Sequence, residues 1–409
     1  MRSAKARKLK VSKRLNRLIS SVALSIGIAL PFIANDGFAA ESVPMTATQK
    51  AELSRVVPGL NITPELAAKL RATAYDQSLT INQRIEAIRE LAGYPKGEAI
   101  RRKICIWDIV GRSGPVFTAA QDQRLRLLEY GVDVEMVPYT SESVVLEDLK
   151  AGICDAALIS GLRARLFNKF TGTVDSVGGL PTSNHMRILL QVLASPKSAD
   201  KMQNNDYVVM GIAPAGGAFI FVNDKSISSL AKAAGKKVAV LDYDPTQARM
   251  VAQIGATPIA SDIVSAPNKF NNGVVDVLAA PLIAYEALEL YKGMSPNGGI
   301  VNYPLAQISM QLIGRSDRFP NEIAQLVREA FFQNYDVIMK RINEEAAKVP
   351  AKWWIEIPDK DKVEYEVMMQ QARIQLRDEK YYDADMLTLQ RKIRCKLDQS
   401  RAECANPVE

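Results

Sequence analysis

The sequence predicts an α/β protein built from two Rossmann-like βαβαβ units, and two stretches of the chain predict them. In residues 103–162 and again in residues 236–285, continuous apolar runs alternate with helical patterns. Apolar runs of this kind indicate parallel strands that are buried on both faces of a sheet. The two stretches also end alike, since LKAGICDAALIS in the first matches FNNGVVDVLAAP in the second. A repeated five-element order is stronger evidence for the fold than either motif alone.

Each unit has three predicted strands with helices between them. The strands of the first unit are KICIWDIVG, VDVEMVPY and CDAALISG; the second unit opens on the strand KKVAVLDYD and closes on VVDVLAA. A glycine precedes the third strand in both units, Gly152 and Gly273, where a left-handed residue ends the helix. Tandem units of this type bind ligands beyond the carboxyl ends of their strands, so two facing units form a cleft.

The first 39 residues are predicted to be a cleavable signal peptide. Eight positive charges fall within residues 1–17, and an apolar segment from Leu18 to Ile33 follows. That segment is too short for a comfortable transmembrane span, and Gly37 and Ala39 are the small residues that a signal peptidase needs. We expect cleavage after Ala39.

Removing the leader changes the charge of the protein. The whole chain has 52 Lys and Arg against 45 Asp and Glu; the leader holds eight of the bases and one acid, Asp36, which leaves 44 against 44. The mature protein is therefore near neutral. Nucleic-acid binding requires a basic surface, so we expect no nucleic-acid partner.

The four cysteines form two pairs, of which one is predicted to be a disulfide and the other to be unbridged. Cys395 and Cys404 are nine residues apart in a polar tail and are predicted to form a disulfide. Cys105 and Cys154 fall in strands one and three of the first unit, where we expect two small buried hydrophobic residues. A bridge between adjacent parallel strands requires unusual geometry. The sequence contains no metal-ligand spacing, and neither a metal nor another cofactor is predicted.

The remaining segments connect and flank the two units. Residues 207–223 and 297–317 are predicted to cross between them, and residues 320–349 to form one long amphipathic helix. The charged C-terminal helices are expected to be a solvated cover. The predicted division is a helical lead-in at 40–100, lobe 1 at 101–210 plus 298–342, lobe 2 at 211–297, and a C-terminal helical extension at 343–409.

Several motifs resemble a family of transport proteins. GKKVAVLDYD, IGATPI, FNNGVVDVLAAP and NYPLAQISMQLIGRSDRFPNEIAQLVREA are similar to the substrate-binding subunits of TRAP (tripartite ATP-independent periplasmic) transporters, which have the type II periplasmic binding fold. The resemblance covers residues 103–342. It implies a periplasmic, monomeric solute-binding protein with two lobes joined by hinge strands. Such a protein captures a small polar or anionic organic solute and delivers it to inner-membrane transporter subunits.

Two positions depart from the family pattern. Family members place an arginine in the first strand of the second lobe, where it binds the ligand carboxylate through two hydrogen bonds. The matching residue here is Ala239, and the family asparagine before the last proline is matched by Ala280. Both polar anchors of the family are absent, so the ligand must be held by other residues.

Candidate replacements come from strand ends and helix starts that face the predicted cleft. Arg163 and its neighbour Arg165 either supply the missing cation or are solvated. Asp108 and Asp242 are candidates to bind a cationic group of the ligand; Asp242, like Asp244, is alternatively a cap of the helix that begins near Pro245. The predicted ligand-binding residues are Trp107, Asp108, Arg112, Ser113, Tyr139, Ser160 and Arg163 in the first lobe, and Phe219, Asp242, Tyr243, Thr246 and Tyr285 at the hinge and in the second.

We expect no catalytic activity. The only histidine, His185, lies at a predicted helix start without an obvious Ser or Cys partner, so a catalytic triad is not indicated. Two alternatives to TRAP-dependent import stay open. The same fold serves ABC-type importers, and it also serves as a ligand sensor or an envelope interaction protein.

Overall fold

A computed structural model describes residues 62–95, 97–129, 131–204, 206–229 and 231–409. The predicted signal peptide lies outside the described residues. Two helices of the predicted lead-in are described, α1 (Pro64–Tyr75) and α2 (Ile81–Ala92). The side chains of Thr63 and Thr80 cap these helices, since each accepts a hydrogen bond from a backbone N–H group of the first turn.

The first βαβαβ unit has the predicted order of elements. Its strands are β1 (Ile100–Trp107), β2 (Val132–Tyr139) and β3 (Ala156–Ser160). The helices between them are α3 (Pro115–Gln121), α4 (Arg124–Glu129) and α5 (Glu142–Lys150). After β3 come α6 (Gly161–Ala164), α7 (Lys169–Gly172) and α8 (Ser183–Leu193).

The second unit lies between two long strands, β4 (Tyr207–Val222) and β8 (Gly299–Arg315). Its strands are β5 (Lys237–Leu241), β6 (Thr257–Ser261) and β7 (Val277–Pro281). The helices α9 (Pro245–Gln253) and α10 (Ser265–Asn271) separate them, and α11 (Ala284–Ala287) and α12 (Tyr291–Met294) follow.

All strands belong to one sheet whose order is β2-β1-β3-β8-β4-β7-β5-β6, with the short strand β9 (Trp354–Ile355) beside β8. Strands within each unit are parallel, whereas β4 and β8 are antiparallel to each other, β8 is antiparallel to β3, and β4 is antiparallel to β7. The short β9 pairs with β8 in parallel. β4 is one continuous strand, with register shifts between Pro214 and Gly216 and at two other points. These two strands are the predicted crossings.

The two units repeat in side-chain detail as well as in element order. Asp155 Oδ2 accepts the backbone N–H of Lys103 at 2.8 Å, and Asp276 Oδ2 accepts that of Lys237 at 2.8 Å. In each unit, an Asp ahead of the third strand thus anchors the first strand. The preceding glycines, Gly152 and Gly273, have positive φ values of 76° and 69°. The structure confirms the echo between the two sequence motifs.

The strand register makes the two units face each other across the middle of the long strands. The carboxyl end of β3, Ser160, pairs with Met310 of β8. The carboxyl end of β7, Pro281, pairs with Ala218 of β4, and Ala218 in turn pairs with Ala306. The two ends approach this region of β8 from opposite directions, so the strand-end residues of both units meet there.

The chain after β8 forms helices that cover the sheet. The long helix predicted at 320–349 is two helices, α13 (Asn321–Gln333) and α14 (Tyr335–Ala346). The break falls at Asn334, whose side-chain amide donates to the Ala330 carbonyl and competes with the helical hydrogen bond. Two further helices, α15 (Asp359–Asp378) and α16 (Ala384–Leu397), are joined by a short turn at residues 379–383. We call the two helices and this turn the C-terminal hairpin; α17 (Ala402–Ala405) follows it.

Both pairs of cysteines are bridged. The disulfide predicted between Cys395 and Cys404 is confirmed, with Cα atoms 5.6 Å apart. The expectation that Cys105 and Cys154 are unbridged is wrong, since they form a second disulfide with Cα atoms 5.8 Å apart. Cys154 lies in the turn ahead of β3 and not inside the strand, so its side chain reaches Cys105 without bending the parallel pair.

No helix among the described residues is long and apolar enough to cross a membrane.

Candidate functional site

Several predicted site residues of the first unit serve the local backbone. Asp108 is buried, and its carboxylate accepts the N–H groups of Val110, Val116 and Phe117, so it caps α3. This occupies the oxygens that a cationic ligand group would need. Arg112 and Ser113 are exposed in a short 3₁₀ turn ahead of α3. Asp108 therefore already supplies a carboxylate to the N-terminus of α3.

Other predicted residues have protein partners. The Tyr139 hydroxyl donates to Asp148 at 2.6 Å, and the Tyr285 hydroxyl accepts from the Trp353 indole at 3.0 Å inside the second core. Phe219 packs edge-to-face on Trp354, with ring centroids 5.7 Å apart. Asp242 is exposed just beyond β5. Ala239 and Ala280 are buried in the core of the second unit and offer no polar group to a ligand.

The predicted residues that do come together across the two units are Arg163 and Tyr243. The Arg163 guanidinium carbon lies 3.7 Å from the centre of the Tyr243 ring, which is a close cation–π contact. Arg163 follows β3 in the first unit, whereas Tyr243 follows β5 in the second. The contact joins the carboxyl ends of the two units, where a ligand of this fold is expected.

Glu142 fixes the position of Arg163, and sequence reasoning missed it. This residue starts α5 and is buried; its Oε1 accepts the Ser160 N–H at 2.7 Å. Its Oε2 lies 3.2 Å from Arg163 Nε, although the N–H does not point at the oxygen well enough for a hydrogen bond. Burial raises the pKa of Glu142, and the bonds from Ser160 and the Arg163 charge oppose that rise. Glu142 thus neutralises Arg163 in a dry environment.

Arg165 is a second cation at the same edge, two residues further along. Its guanidinium carbon lies 4.1 Å from the Tyr381 ring centre and 5.2 Å from that of Tyr382, both in the turn of the C-terminal hairpin. Its Nη2 donates to the Gly172 carbonyl at 3.2 Å, whereas its Nε is buried without a partner. The sequence left open whether Arg165 is solvated; the structure places it half-buried between aromatic rings.

A buried polar cluster lies behind Arg165 on the long strand β8. Asp175 accepts hydrogen bonds from the backbone N–H and the hydroxyl of Ser309, at 3.1 and 2.6 Å. Gln311 donates to the Thr171 carbonyl at 2.9 Å. Burial raises the pKa of the Asp175 carboxyl to about 7, against the opposing effects of Ser309 and Arg165. Asp175 is thus a carboxyl group that takes up a proton near neutral pH.

The unsatisfied polar atoms of the described chain mark the same region. Six buried side-chain atoms have no hydrogen-bond partner within the residues that the structure describes: Trp107 Nε1, Glu142 Oε2, Arg163 Nε, Arg165 Nε, Tyr243 Oη and Gln311 Oε1. An unpaired buried polar group costs about 1–3 kcal/mol, so such groups are rare in folded proteins. Trp107 ends β1 and Gln311 lies in β8, whereas the other four residues lie in the turns and helix starts that follow β2, β3 and β5. A bound polar molecule is the simplest partner for several of them.

A cavity of about 1200 Å³ extends along the sheet and reaches this region. Three parts of the chain contribute to its wall there. The first unit supplies Ser160, Arg165 and Asp175, the second supplies Asp244, Thr246 and Met250, and the C-terminal hairpin supplies Tyr365, Met368 and Tyr382. Thr246, a predicted contact, is buried and bonds to Asp244, which caps α9. The remainder of the lining is largely apolar.

The described residues contain no group of His, Cys, Asp and Glu side chains that is suited to hold a metal ion. His185, half-buried at the start of α8, shares a 2.8 Å hydrogen bond with the Thr182 hydroxyl, as expected for a helix-cap position. Burial, with the nearby Arg401 and Arg394 charges, lowers the pKa of His185 to about 4.

Proteins with known structures share the fold. A TRAP periplasmic solute-binding protein from Desulfovibrio salexigens, with bound orotic acid, aligns with a TM-score of 0.61 and 15% identity over 73% of this chain and 99% of its own. A counterpart from Bradyrhizobium, in complex with galacturonate, aligns with a TM-score of 0.57 and 20% identity over 72% of this chain and 99% of its own. The fold of this chain is that of TRAP periplasmic solute-binding proteins.

Sequence relatives give the family. The probable solute-binding protein AdeT1 of Acinetobacter baumannii is 40% identical over 300 residues, which are 73% of this chain and 99% of the relative. AdeT2 of the same species is 29% identical over 233 residues, 57% of this chain and 98% of its own length. The profile of the family described as solute-binding protein AdeT 1/2 matches residues 101–409. The chain therefore belongs to the AdeT 1/2 family of solute-binding proteins.

Proposed function

We propose that this protein captures a small anionic organic solute between its two βαβαβ units and passes it to a membrane transporter of the TRAP type. The observation that carries the proposal is the set of six unpaired buried polar atoms. Five of the six belong to Trp107, Arg163, Arg165, Tyr243 and Gln311, which are neutral or cationic and suit an anionic or polar guest.

The fold supplies a mechanism for capture. The two units are joined by β4 and β8, which form the two predicted hinge crossings, with lobe 1 at 101–210 plus 298–342 and lobe 2 at 211–297. A solute that contacts both Arg163 and Tyr243 binds the closed arrangement more tightly than an open one. Differential affinity of this kind shifts the population towards closure.

The neighbouring structures support an anionic solute. The solved proteins of this fold hold orotic acid, galacturonate and succinate, all small organic acids. In this chain Arg163 and Arg165 take the place of the family arginine, whose position is Ala239. We assign the protein to the periplasm, where a leader of the predicted type directs it, and expect it to act as a monomer without catalysing a reaction.

Native mass spectrometry tests the proposal. The full sequence is expressed so that the cell processes any leader, and the protein is purified without added ligand. We expect a bound small acid at one molecule per chain, identified after denaturing extraction, and loss of that molecule from Glu142→Gln/Arg163→Gln, in which neither charge of the pair is left buried alone. Arg187→Gln, which removes an exposed ion pair with Asp336, is the matched control. A protein that purifies empty and shows no thermal shift with organic acids would contradict the proposed function.

A further inference from the structure

The C-terminal hairpin is fastened to the first unit by buried polar contacts. Gln390 donates to the carbonyls of Thr173 and Val174, at 3.1 and 3.0 Å, and its Oε1 accepts from Ser176. Arg394, fully buried, donates to the Gly179 carbonyl at 2.8 Å. Contacts of this kind fix the hairpin more firmly than a solvated cover would require.

Its own interior is held by a buried ion network. Arg394 bonds to Glu403 and Glu409, and Arg373 bonds to Glu409 through both carboxylate oxygens. Burial raises the pKa of Glu403, but the bonds from Arg394 and Arg401 outweigh it and lower that pKa to about 2. The charges are paired, and Glu409 joins Arg373 of α15 to Arg394 of α16.

The turn between the two hairpin helices reaches the second unit. Arg249 of α9 pairs with Glu379, with nitrogen–oxygen distances of 3.2 and 2.5 Å. Met250, from the same helix, packs in one cluster with Leu376 and Tyr382. The turn therefore contacts both units at the place where they meet.

Arg165 lines the cavity and lies against the turn of the C-terminal hairpin. Glu142 already neutralises Arg163, whereas the Arg165 guanidinium rests on Tyr381 and Tyr382 and keeps a buried Nε without a partner. An aromatic ring face attracts a guanidinium electrostatically and leaves its N–H groups free to donate hydrogen bonds. An acceptor oxygen of a ligand is the missing partner.

The side chains that line the cavity with Arg165 determine which chemical groups the rest of the ligand can carry. The cavity that Arg165 lines has polar side chains whose groups are already paired, since Asp175 bonds to Ser309 and Asp244 to Thr246. The other side chains of this part of the lining are those of Val177, Met250, Leu305 and Met368 and the rings of Tyr365 and Tyr382. Side chains of this type pack against an apolar surface but cannot satisfy several hydroxyl groups, and each buried hydroxyl without a partner opposes binding. We propose that the C-terminal hairpin forms one wall of the solute site, with Arg165 binding the carboxylate of a hydroxyl-poor monocarboxylic acid. This inference rests on the proposed function. It adds the C-terminal hairpin as a third wall of the site and specifies the class of solute.

Titration calorimetry with defined acids tests this assignment. Benzoate and hexanoate represent the predicted class; succinate and galacturonate represent a second carboxylate and a hydroxyl-rich body. We expect the better monocarboxylate to bind at least tenfold more tightly than either comparison acid. Arg165→Gln should weaken its binding at least tenfold, and Tyr381→Leu severalfold, while Arg187→Gln leaves it unchanged.

The outcomes separate the two proposals. Tighter binding of galacturonate or succinate, or a tightly bound hydroxyl-rich acid found in the purified protein, overturns the solute class while the proposed function stands. Monocarboxylate binding that Arg165→Gln and Tyr381→Leu leave unchanged overturns the role of the hairpin. If Tyr381→Leu does not fold, Tyr381→Phe, which keeps the ring, should bind as the unchanged protein does. Failure of every acid to bind a protein that also purifies empty contradicts the proposed function itself.

Discussion

Asp175 is buried, and no cation among the residues that the structure describes donates a hydrogen bond to its carboxyl group. Its bonds to Ser309 supply two donors, which favour the ionised form, but the dry environment outweighs them and raises the pKa to about 7. Because the folded protein holds a proton that the unfolded chain releases near pH 4, the stability that this group contributes is present at low pH. It falls as the pH rises from about 4 to 7.

The expected consequence is a pH-dependent stability that Asp175→Asn removes. The wild-type free energy of unfolding should fall by up to about 1.4 kcal/mol per pH unit between pH 5 and 7, relative to the Asn variant. Asn imitates the protonated carboxyl, since its oxygen accepts the Ser309 N–H and its amide donates to the hydroxyl. Urea unfolding at pH 5, 6, 7 and 8 measures the difference. Parallel curves for the two proteins would show that Asp175 does not titrate in this range.

Glu142 and Arg163 form a buried pair whose partners depend on each other. Arg163→Met leaves the Glu142 carboxylate buried beside Ser160 without a cation, and removal of one partner of such a pair costs about 3–5 kcal/mol. The double variant Glu142→Gln/Arg163→Met should recover at least half of that loss, because an amide oxygen still accepts the Ser160 N–H. Unfolding free energies of both single variants and the double variant complete the cycle. Additive losses would mean that the two residues act independently.

At the scale of single residues, part of the proposed site could be anticipated from the sequence. Arg163 and Tyr243 could be predicted because each directly follows a strand, and strand ends of parallel sheets face the ligand. Glu142, Asp175 and Tyr381 could not, because no local pattern distinguishes an acid at a helix start, in a loop or in a hairpin turn from a solvated one. Their roles come from contacts between residues far apart in the chain, such as Asp175 with Ser309.

At the scale of elements, the βαβαβ units were predictable from the alternation of apolar runs and helical patterns. The second disulfide was not, since its geometry depends on where β3 begins. Cys105–Cys154 closes a loop with a sequence separation of 49 residues, and Cys395–Cys404 one of nine. A disulfide that closes a longer loop removes more conformational entropy from the unfolded chain.

We therefore expect the two disulfides to differ in their contribution to stability. Loop entropy gives about 4 kcal/mol for Cys105–Cys154 and about 3 kcal/mol for Cys395–Cys404. The paired variants Cys105→Ala/Cys154→Ala and Cys395→Ala/Cys404→Ala, each with the other bridge intact, provide the comparison by urea unfolding. The loss of the first bridge should be the more costly; the reverse order would show that native packing, and not loop length, decides.

The contact between the hairpin and the first unit depends on a glycine. A Cβ atom at Gly179 would lie 2.2 Å from Ser176 Oγ and 2.6 Å from Gln390 Oε1. Gly179→Ala should therefore break the bonds that fasten α16 and destabilise the protein by about 1–3 kcal/mol. Hydrogen–deuterium exchange should show that the variant exchanges faster than the unchanged protein in residues 359–397, and that β1 and β3 change less. Unchanged exchange of the hairpin would mean that it tolerates the displacement.

At the scale of the whole molecule, the sheet explains why the site lies where it does. Because β3 and β7 approach the middle of β8 from opposite directions, the carboxyl ends of both units meet at one place. That arrangement was predictable from the tandem units. The hairpin was expected to be a solvated cover, because its charged helices carry no signal of a partner. Its bonds to residues 173–179 and to Arg249 instead place it against both units.

Hydrogen–deuterium exchange with and without the solute that co-purifies reports whether the solute contacts both units and the hairpin at once. We expect the solute to slow exchange together in three segments: residues 160–165 at the end of β3, residues 241–247 at the end of β5, and residues 379–382 in the hairpin turn. Simultaneous protection would show that the solute binds where both units and the hairpin meet. Protection confined to one unit, or located elsewhere in the chain, would contradict it.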